Sequence, residues 1–309
     1  MSVKARNRVV DYLVYLGVRA FVCIVQAVPM RMALGFASGL AWVIYTFDKR
    51  HRVVAAENLS AAFPEKHEAE IDRLVRGCYR HFCSLLIEII LLPRKLSIDS
   101  WRSYGKLVNA NAMMSLLMSD RPLLMVTGHF GNWEMAGYTL GALGYKTYAI
   151  ARTLDNPYLE RYMKTFRQRT GQTIIAKKDD FDRLESVMKG GGKVATVADQ
   201  DAGPRGVFVN FFGRPASAHK AVALMAIEFQ ARIFVIGVPR VALPMRYEFI
   251  CADVIDPADY IDSPDPVKAI TQRYHTAIES LVRKYPEQYF WLHRRWKTRP
   301  KSERTAIVA

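Results

Sequence analysis

The stretch LLMVTGHFGNWEMAG, residues 123 to 137, sets a histidine and a glutamate five positions apart, His129 and Glu134, just after a short apolar run. A neutral imidazole near pH 7 can take a proton from a hydroxyl. A carboxylate within hydrogen-bonding range would fix the ring's tautomer and stabilise the imidazolium that forms. On a regular helix, residues five apart lie about 140° apart around the axis, so the pair would not meet. Across a strand–loop–helix junction they can. No serine or cysteine sits at a G-x-S-x-G elbow. The nucleophile would then be a hydroxyl of the substrate, and an acyl group would move without a covalent enzyme intermediate. A hydrogen-bonded core histidine beside a surface acid fits the same spacing, and the motif alone leaves both readings open.

The elements around the pair decide whether it can form. Leu123–Thr127 reads as a buried strand. Gly128 and Gly131 permit a tight turn, and Asn132 is placed to cap the helix that follows. His129 would stand at the carboxyl end of a strand, where α/β sheets hold ligands. The free N–H groups of the next helix could stabilise an oxyanion. Further short runs (Thr147–Ile150, Thr173–Ala176, Val194–Ala198 and Ile233–Val238) alternate with segments of helical period. The fold class expected is α/β, with a mostly parallel central sheet flanked by helices. The clearest helix covers Pro157 to Thr170, capped by Asp155 or Asn156 and ended by Gly171. Its apolar face is Leu159, Tyr162, Met163 and Phe166. Arg161 and Lys164 point away from that face, whereas Arg167 and Arg169 flank it and can reach a cleft wall.

The chain has 309 residues, half of them hydrophobic, and a net charge of +15, which points to an anionic partner. Residues 9 to 47 are apolar but interrupted by Asp11, Arg19 and Arg31, and the longest uncharged run has 16 residues. That is short of the roughly 20 that span a bilayer. A cleavable signal fits poorly, because a charged block, Asp48 to Arg52, follows the apolar stretch. A membrane-embedded or interfacial helical pair and an ordinary core pair both remain. Trp42, Tyr45 and Phe47 directly before Lys49, Arg50 and Arg52 favour the interface. The expected division is an apolar membrane-associated segment, 1–50, and a catalytic domain, 51–309. Cys78, His81 and Cys83 fall within a helical stretch and lack a fourth ligand at zinc-site spacing. GGGK, residues 190 to 193, follows a helix and precedes a strand. That order is the reverse of a phosphate loop, and a helix-ending turn is expected.

At this point four stretches taken together resemble one family. TGHFGNWE resembles the H-x4-D/E motif of the lysophospholipid acyltransferase-like superfamily, and looks most like the bacterial lipid A biosynthesis (late, Kdo-dependent) acyltransferases. ARTLDNPYLERYMKTFRQRTG is similar to that family's R-x-x-x-N-P segment and the arginine-bearing helix after it. ADQDAGPRGVFVNFFGRPA and PEQYFWLHRRWKTRP resemble two later segments of the family. The likeness spans essentially the whole chain. It departs at Thr153 and Asn210, where members often carry proline; both positions are expected in loops.

The resemblance implies transfer of a fatty acyl chain from an acyl thioester, carried by acyl carrier protein or coenzyme A, to a hydroxyl of a membrane glycolipid. His129 would be the general base and Glu134 its partner. Arg167, Arg152 and Asp199 match further family positions and would bind substrate, and Asn132 and Gln200 join them at the crevice edge. No metal or other cofactor is implied, and His129 has no second histidine near it for a metal-hydrolase site. The implied location is the cytoplasmic face of the bacterial inner membrane. Acylation of another glycolipid from acyl-CoA, such as a mannosylated phosphatidylinositol, is the alternative. A basic membrane-surface scaffold is a more distant one. The basic runs from Lys146 to Lys178 and from Trp291 to Lys301 would attract phosphates, headgroups or an acidic carrier protein. Nucleic acid is not expected as a partner. Trp291, His293, Arg294, Arg295 and Trp296 interleave aromatics with cations, but no recognisable binding module surrounds them.

Overall fold

The computed structural model describes residues 7–176 and 180–300. Four helices come first: α1 (Arg8–Ala27), α2 (Met30–Phe47), α3 (Lys49–Ala62) and α4 (Glu68–Lys95). Strands and helices then alternate as β1 (Gly105–Val108), α5 (Ala110–Met118), β2 (Leu123–Thr127), α6 (Trp133–Ala142), β3 (Thr147–Ala151), α7 (Pro157–Gln168), β4 (Gln172–Ala176), α8 (Phe181–Lys189) and β5 (Lys193–Val197). A hairpin of β6 (Val207–Phe211) and β7 (Arg214–Ala218) precedes α9 (Ala221–Glu228) and β8 (Arg232–Gly237). The chain continues through β9 (Arg240–Ala242), β10 (Arg246–Ile255) and α10 (Pro266–Lys284).

The main sheet runs β1-β10-β8-β2-β5-β3-β4, with β9 paired to β10. From β8 to β4 every neighbour is parallel, while β10 runs antiparallel to β8. The mostly parallel α/β sheet expected from the alternation is therefore present. All five expected strands are found within one residue at each end. β2 lies between β8 and β5, and its Leu123, Leu124, Met125 and Val126 are buried. A strand covered on both faces must read as a continuous apolar run, as this one does. β1, β10 and the hairpin were not expected, because their apolar residues are too few or too irregularly spaced to stand out. Asn210 is a correction: it lies in β6, not a loop, and its N–H donates to Gln272 Oε1 at 2.6 Å. A proline there could not make that bond.

Local chemistry explains the elements nearest the site. Asn156 caps α7 by accepting from the N–H groups of Tyr158 and Leu159, Pro157 occupies the first turn, and Gly171 has φ +95°. The helix ends at Gln168, two residues before the expected Thr170. After α8 the Gly192 N–H bonds Val187 O at 2.9 Å and Gly191 has φ +73°, so GGGK closes a helix as expected.

α1 and α2 are long and apolar enough to cross a membrane, yet only 17% and 28% of their most apolar windows are buried. A core pair would be mostly covered, so these two helices are candidate membrane anchors. Val9, Leu13, Ile24, Phe36, Trp42 and Phe47 are exposed along them. Their other faces are not detached from the rest. Ala33, Leu34, Ala37 and Ala41 of α2 belong to the same core as β2, and residue 50 falls within the first turn of α3. Tyr45 departs from the expected headgroup position: it is buried, and its hydroxyl donates to Asp72. A Cβ on Gly35 or Gly39 would meet nothing within 4 Å, so these glycines mark no close helix approach. Cys78 and Cys83 are buried on α4.

Candidate active site

β2 and β5 are parallel neighbours in a register that pairs Thr127 with Val197. His129 and Asp199 each lie two residues beyond that last pair, so the ladder delivers them side by side at the carboxyl ends of the strands. His129 Nδ1 is 2.7 Å from Asp199 Oδ1, and the His129 backbone N–H donates to Asp199 Oδ2 at 2.8 Å. An ionised carboxylate only accepts, so Nδ1 carries the ring proton and Nε2 presents a lone pair. Trp133 and Phe290 stand against the ring, with centroids 5.3 and 6.0 Å away.

The electrostatics suit a base. Burial alone would raise the Asp199 carboxyl, but the charge of His129 and its two hydrogen bonds hold it down at about 2. Burial would likewise lower His129, and the charge and hydrogen bond of Asp199 outweigh it, so the imidazole sits above its ordinary value. Both shifts describe one interaction seen from its two ends.

Glu134 has a different partner from the one expected. In the first turn of α6, it accepts from Arg167 Nη2 at 2.5 Å and from Nε at 3.1 Å. The pairing of Glu134 with His129 is thus corrected: Asp199 holds the imidazole, and Glu134 holds the arginine of α7. This side-on fork leaves Arg167 Nη1 with no protein partner among the described residues. His129, Glu134 and Arg167 line one cavity of about 320 Å³, with Asp199 buried behind the imidazole. Its apolar wall includes Met125, Leu140, Ala149, Ile150, Ala195 and Ile236.

The remaining expected site residues divide. Asp199 is not free to bind substrate, since both of its oxygens accept from His129. Asn132 is fully buried; it caps α6 as expected, with Oδ1 accepting from Met135 N at 2.9 Å and Nδ2 donating to Tyr247 at 3.3 Å, and is spent on structure. Arg152 and Gln200 do reach the cavity. Arg152 is exposed and pairs with exposed Asp155 at 3.3 Å, a contact of little energetic weight. Trp133 and Gln172 also line the cavity and carried no sequence signal. Gln172 packs so tightly that a Cβ on Gly137 would lie 2.2 Å from its Nε2.

The two basic runs differ from each other. Arg161 and Lys164 on α7 are exposed, as the spacing suggested; Arg169, just past the end of α7, is exposed too and does not line the cavity, unlike Arg167. In the C-terminal run Trp291, Arg295 and Trp296 are buried, so the interleaved aromatics and cations form core and not a stacking surface. Arg295 donates to Ser217 O at 2.7 Å and lies 3.2 Å from His275 Nε2. Lys177, Lys178 and Lys301 lie outside the described residues.

A family model described as bacterial lipid A biosynthesis acyltransferase matches residues 2–298. The chain belongs to this family. It is 26% identical over 295 residues to the lipid A biosynthesis lauroyltransferase of Escherichia coli K12, covering 94% of this chain and 92% of that protein. It is 25% identical over 267 residues to the palmitoleoyltransferase of the same strain, covering 85% and 84%. A phosphatidylinositol mannoside acyltransferase of Mycolicibacterium smegmatis is 24% identical over 218 residues, covering 68% and 70%.

In this member of the lipid A acyltransferase family, Arg167 and Glu134 should behave as one unit. Arg167→Ala and Glu134→Gln are each expected to lower kcat/KM by about tenfold or more, because either change strands a partly buried charge. The double variant should lose little more than either single one. A double-mutant cycle checks this, and additive losses would show that the two side chains act separately.

Proposed function

We propose that this chain is an O-acyltransferase that moves a fatty acyl chain from an acyl thioester to a hydroxyl of a lipid A precursor, with His129 as general base. The observation that carries the reading is the His129–Asp199 pair at the edge of an apolar cavity, in a chain of this family. His129 Nε2 takes the hydroxyl proton as the oxygen attacks the thioester carbonyl. The tetrahedral oxyanion collapses, the thiolate leaves, and the imidazolium returns the proton to sulfur. Asp199 stabilises the imidazolium between these steps. Asn132 Oδ1 is occupied by Met135 N, so the first-turn N–H groups of Trp133 and Glu134 are the donors open to the oxyanion. The open edge of Arg167 suits a phosphate or the polar arm of the donor. The apolar wall suits an alkyl chain.

Acyl carrier protein is the favoured donor, since a net charge of +15 attracts an acidic protein. We assign the site to the cytoplasmic face of the bacterial inner membrane, with α1 and α2 in contact with lipid. The similarity to a phosphatidylinositol mannoside acyltransferase supports a second reading, in which a mannosylated phosphatidylinositol accepts the chain from acyl-CoA.

Mass spectrometry of membrane lipids from cells with and without the protein tests the proposal. A lipid A species that gains one acyl chain only with the intact protein, and not with His129→Ala, is the expected result. A gain confined to another glycolipid would move the acceptor. No lipid change in either case would end the acyltransferase reading for this chain.

A further inference from the structure

We propose that His81 of α4 is a positioning residue for the catalytic loop: its Nε2–H holds the Gly131 carbonyl, and through it the backbone that carries His129. This rests on the reading of His129 as the base and assigns a role to a buried polar network that the reaction itself does not use.

The network begins with an ion pair deep in the fold. Glu88 of α4 is fully buried and accepts from Arg240 Nε at 3.0 Å and from Nη2 at 2.5 Å. Tyr247 donates its hydroxyl to the same carboxylate. Arg240 Nη1 then lies 3.1 Å from His81 Nδ1. A guanidinium can only donate, so Nδ1 is the acceptor and the ring proton resides on Nε2. That nitrogen is 3.3 Å from the Gly131 carbonyl oxygen. Burial first, and the adjacent Arg240 charge second, keep His81 far below the ordinary histidine range and therefore neutral.

The same network grips the loop at other points. The Gly131 N–H donates to Gln288 O at 3.0 Å, and Gln288 Oε1 accepts from Arg240 N at 2.8 Å. Asn132 reaches Tyr247. Gly131 needs φ +60°, and a Cβ there would stand 2.1 Å from Val238 O, so the loop has a single close-packed path. A buried ion pair is weak evidence for stability, because desolvation offsets its attraction. What this pair does is fix one tautomer of one histidine, and that tautomer donates to the loop two residues from the base. A shift of about 1 Å at a reacting group can cost up to about 100-fold in rate, so a hydrogen bond at this point has leverage on turnover.

Two conservative variants separate positioning from mere packing. Glutamine at position 81 carries its amide nitrogen to about the distance of Nε2 and can still donate to Gly131. Asparagine is shorter and reaches only the Nδ1 position. His81→Asn is expected to lower kcat by about tenfold with KM changed less than about twofold, while His81→Gln stays within about threefold of wild type. Nitrogen-resolved NMR of the His129 ring supplies a readout independent of turnover. In His81→Asn the Nδ1 proton shared with Asp199 should lose its downfield position and the imidazole should titrate lower; in His81→Gln both should match wild type. Unchanged turnover in His81→Asn would overturn the assignment. So would equal losses in both variants with an unperturbed His129 proton. Retention of full activity by His129→Ala would instead defeat the general-base reading, and the NMR comparison would still report whether His81 holds the loop.

Discussion

His129→Ala is expected to lower turnover by about 100-fold or more, the usual scale for removing a positioned general base. The expectation follows from the tautomer. Asp199 accepts a hydrogen bond from Nδ1–H, which leaves Nε2 as a lone-pair site on a ring that lines the cavity. Glu134 cannot substitute, because both of its oxygens are engaged by Arg167. The substitution also removes the ring between Trp133 and Phe290 and strands a buried carboxylate, so the variant should unfold at a lower temperature than wild type. Activity must therefore be referred to folded protein, with acyl transfer followed by release of free thiol from the donor. Turnover within about threefold of wild type, on the measured folded fraction, would remove His129 from the mechanism.

Much of this site was readable along the chain, and the parts that were not share one cause. The apolar run Leu123–Val126 and the glycines after it place His129 correctly, because a strand-to-helix turn is encoded by adjacent residues. The helical period of α7 likewise separated Arg167 from Arg161 and Lys164. The partner of His129 was misassigned because Glu134 is near in sequence, whereas Asp199 comes close only through the β2–β5 register, 70 residues on. Nothing local says that β5 returns to lie between β2 and β3. The ion pair of Glu88 with Arg240 joins residues 152 apart, one of them on a three-residue strand with no pattern of its own. Arg295 lies within a basic run of the sequence, and its burial rests on Ser217 and His275, which the sequence keeps far away.

Asp199→Asn is expected to reduce turnover on the order of 1000-fold, through the tautomer of His129 and not through loss of the ring. Asp199 uses one oxygen for the imidazole Nδ1–H and the other for the His129 backbone N–H. An asparagine has a single oxygen. If that oxygen keeps the backbone N–H, the amide NH2 faces Nδ1, the ring proton moves to Nε2, and the base loses its lone pair. If the amide flips, an NH2 opposes the backbone N–H and the loop must shift. Either way the geometry for proton transfer is lost.

The pH dependence gives a second, independent check on the same pair. In the wild type, His129 titrates above its ordinary value because the charge of Asp199 outweighs the effect of burial. Activity needs the neutral ring, so the acid limb of kcat/KM should lie above about pH 6.5, the ordinary histidine value. In Asp199→Asn burial acts unopposed, and the limb of the residual activity should move to lower pH. Stability follows the same signs. Asp199 has a folded value of about 2, so its contribution is present above the unfolded carboxyl value near about 3.9 and is lost as pH falls toward 2. His129 is raised on folding, so its contribution is full below about 6.5 and is lost as pH rises through its folded value. These are two edges of one interaction, and the difference in unfolding temperature between wild type and Asp199→Asn should be widest between roughly pH 4 and 6.5, narrowing on both sides. A difference that does not vary with pH would mean that the two side chains touch without exchanging charge. The imidazole would then lack the support that its role as base requires.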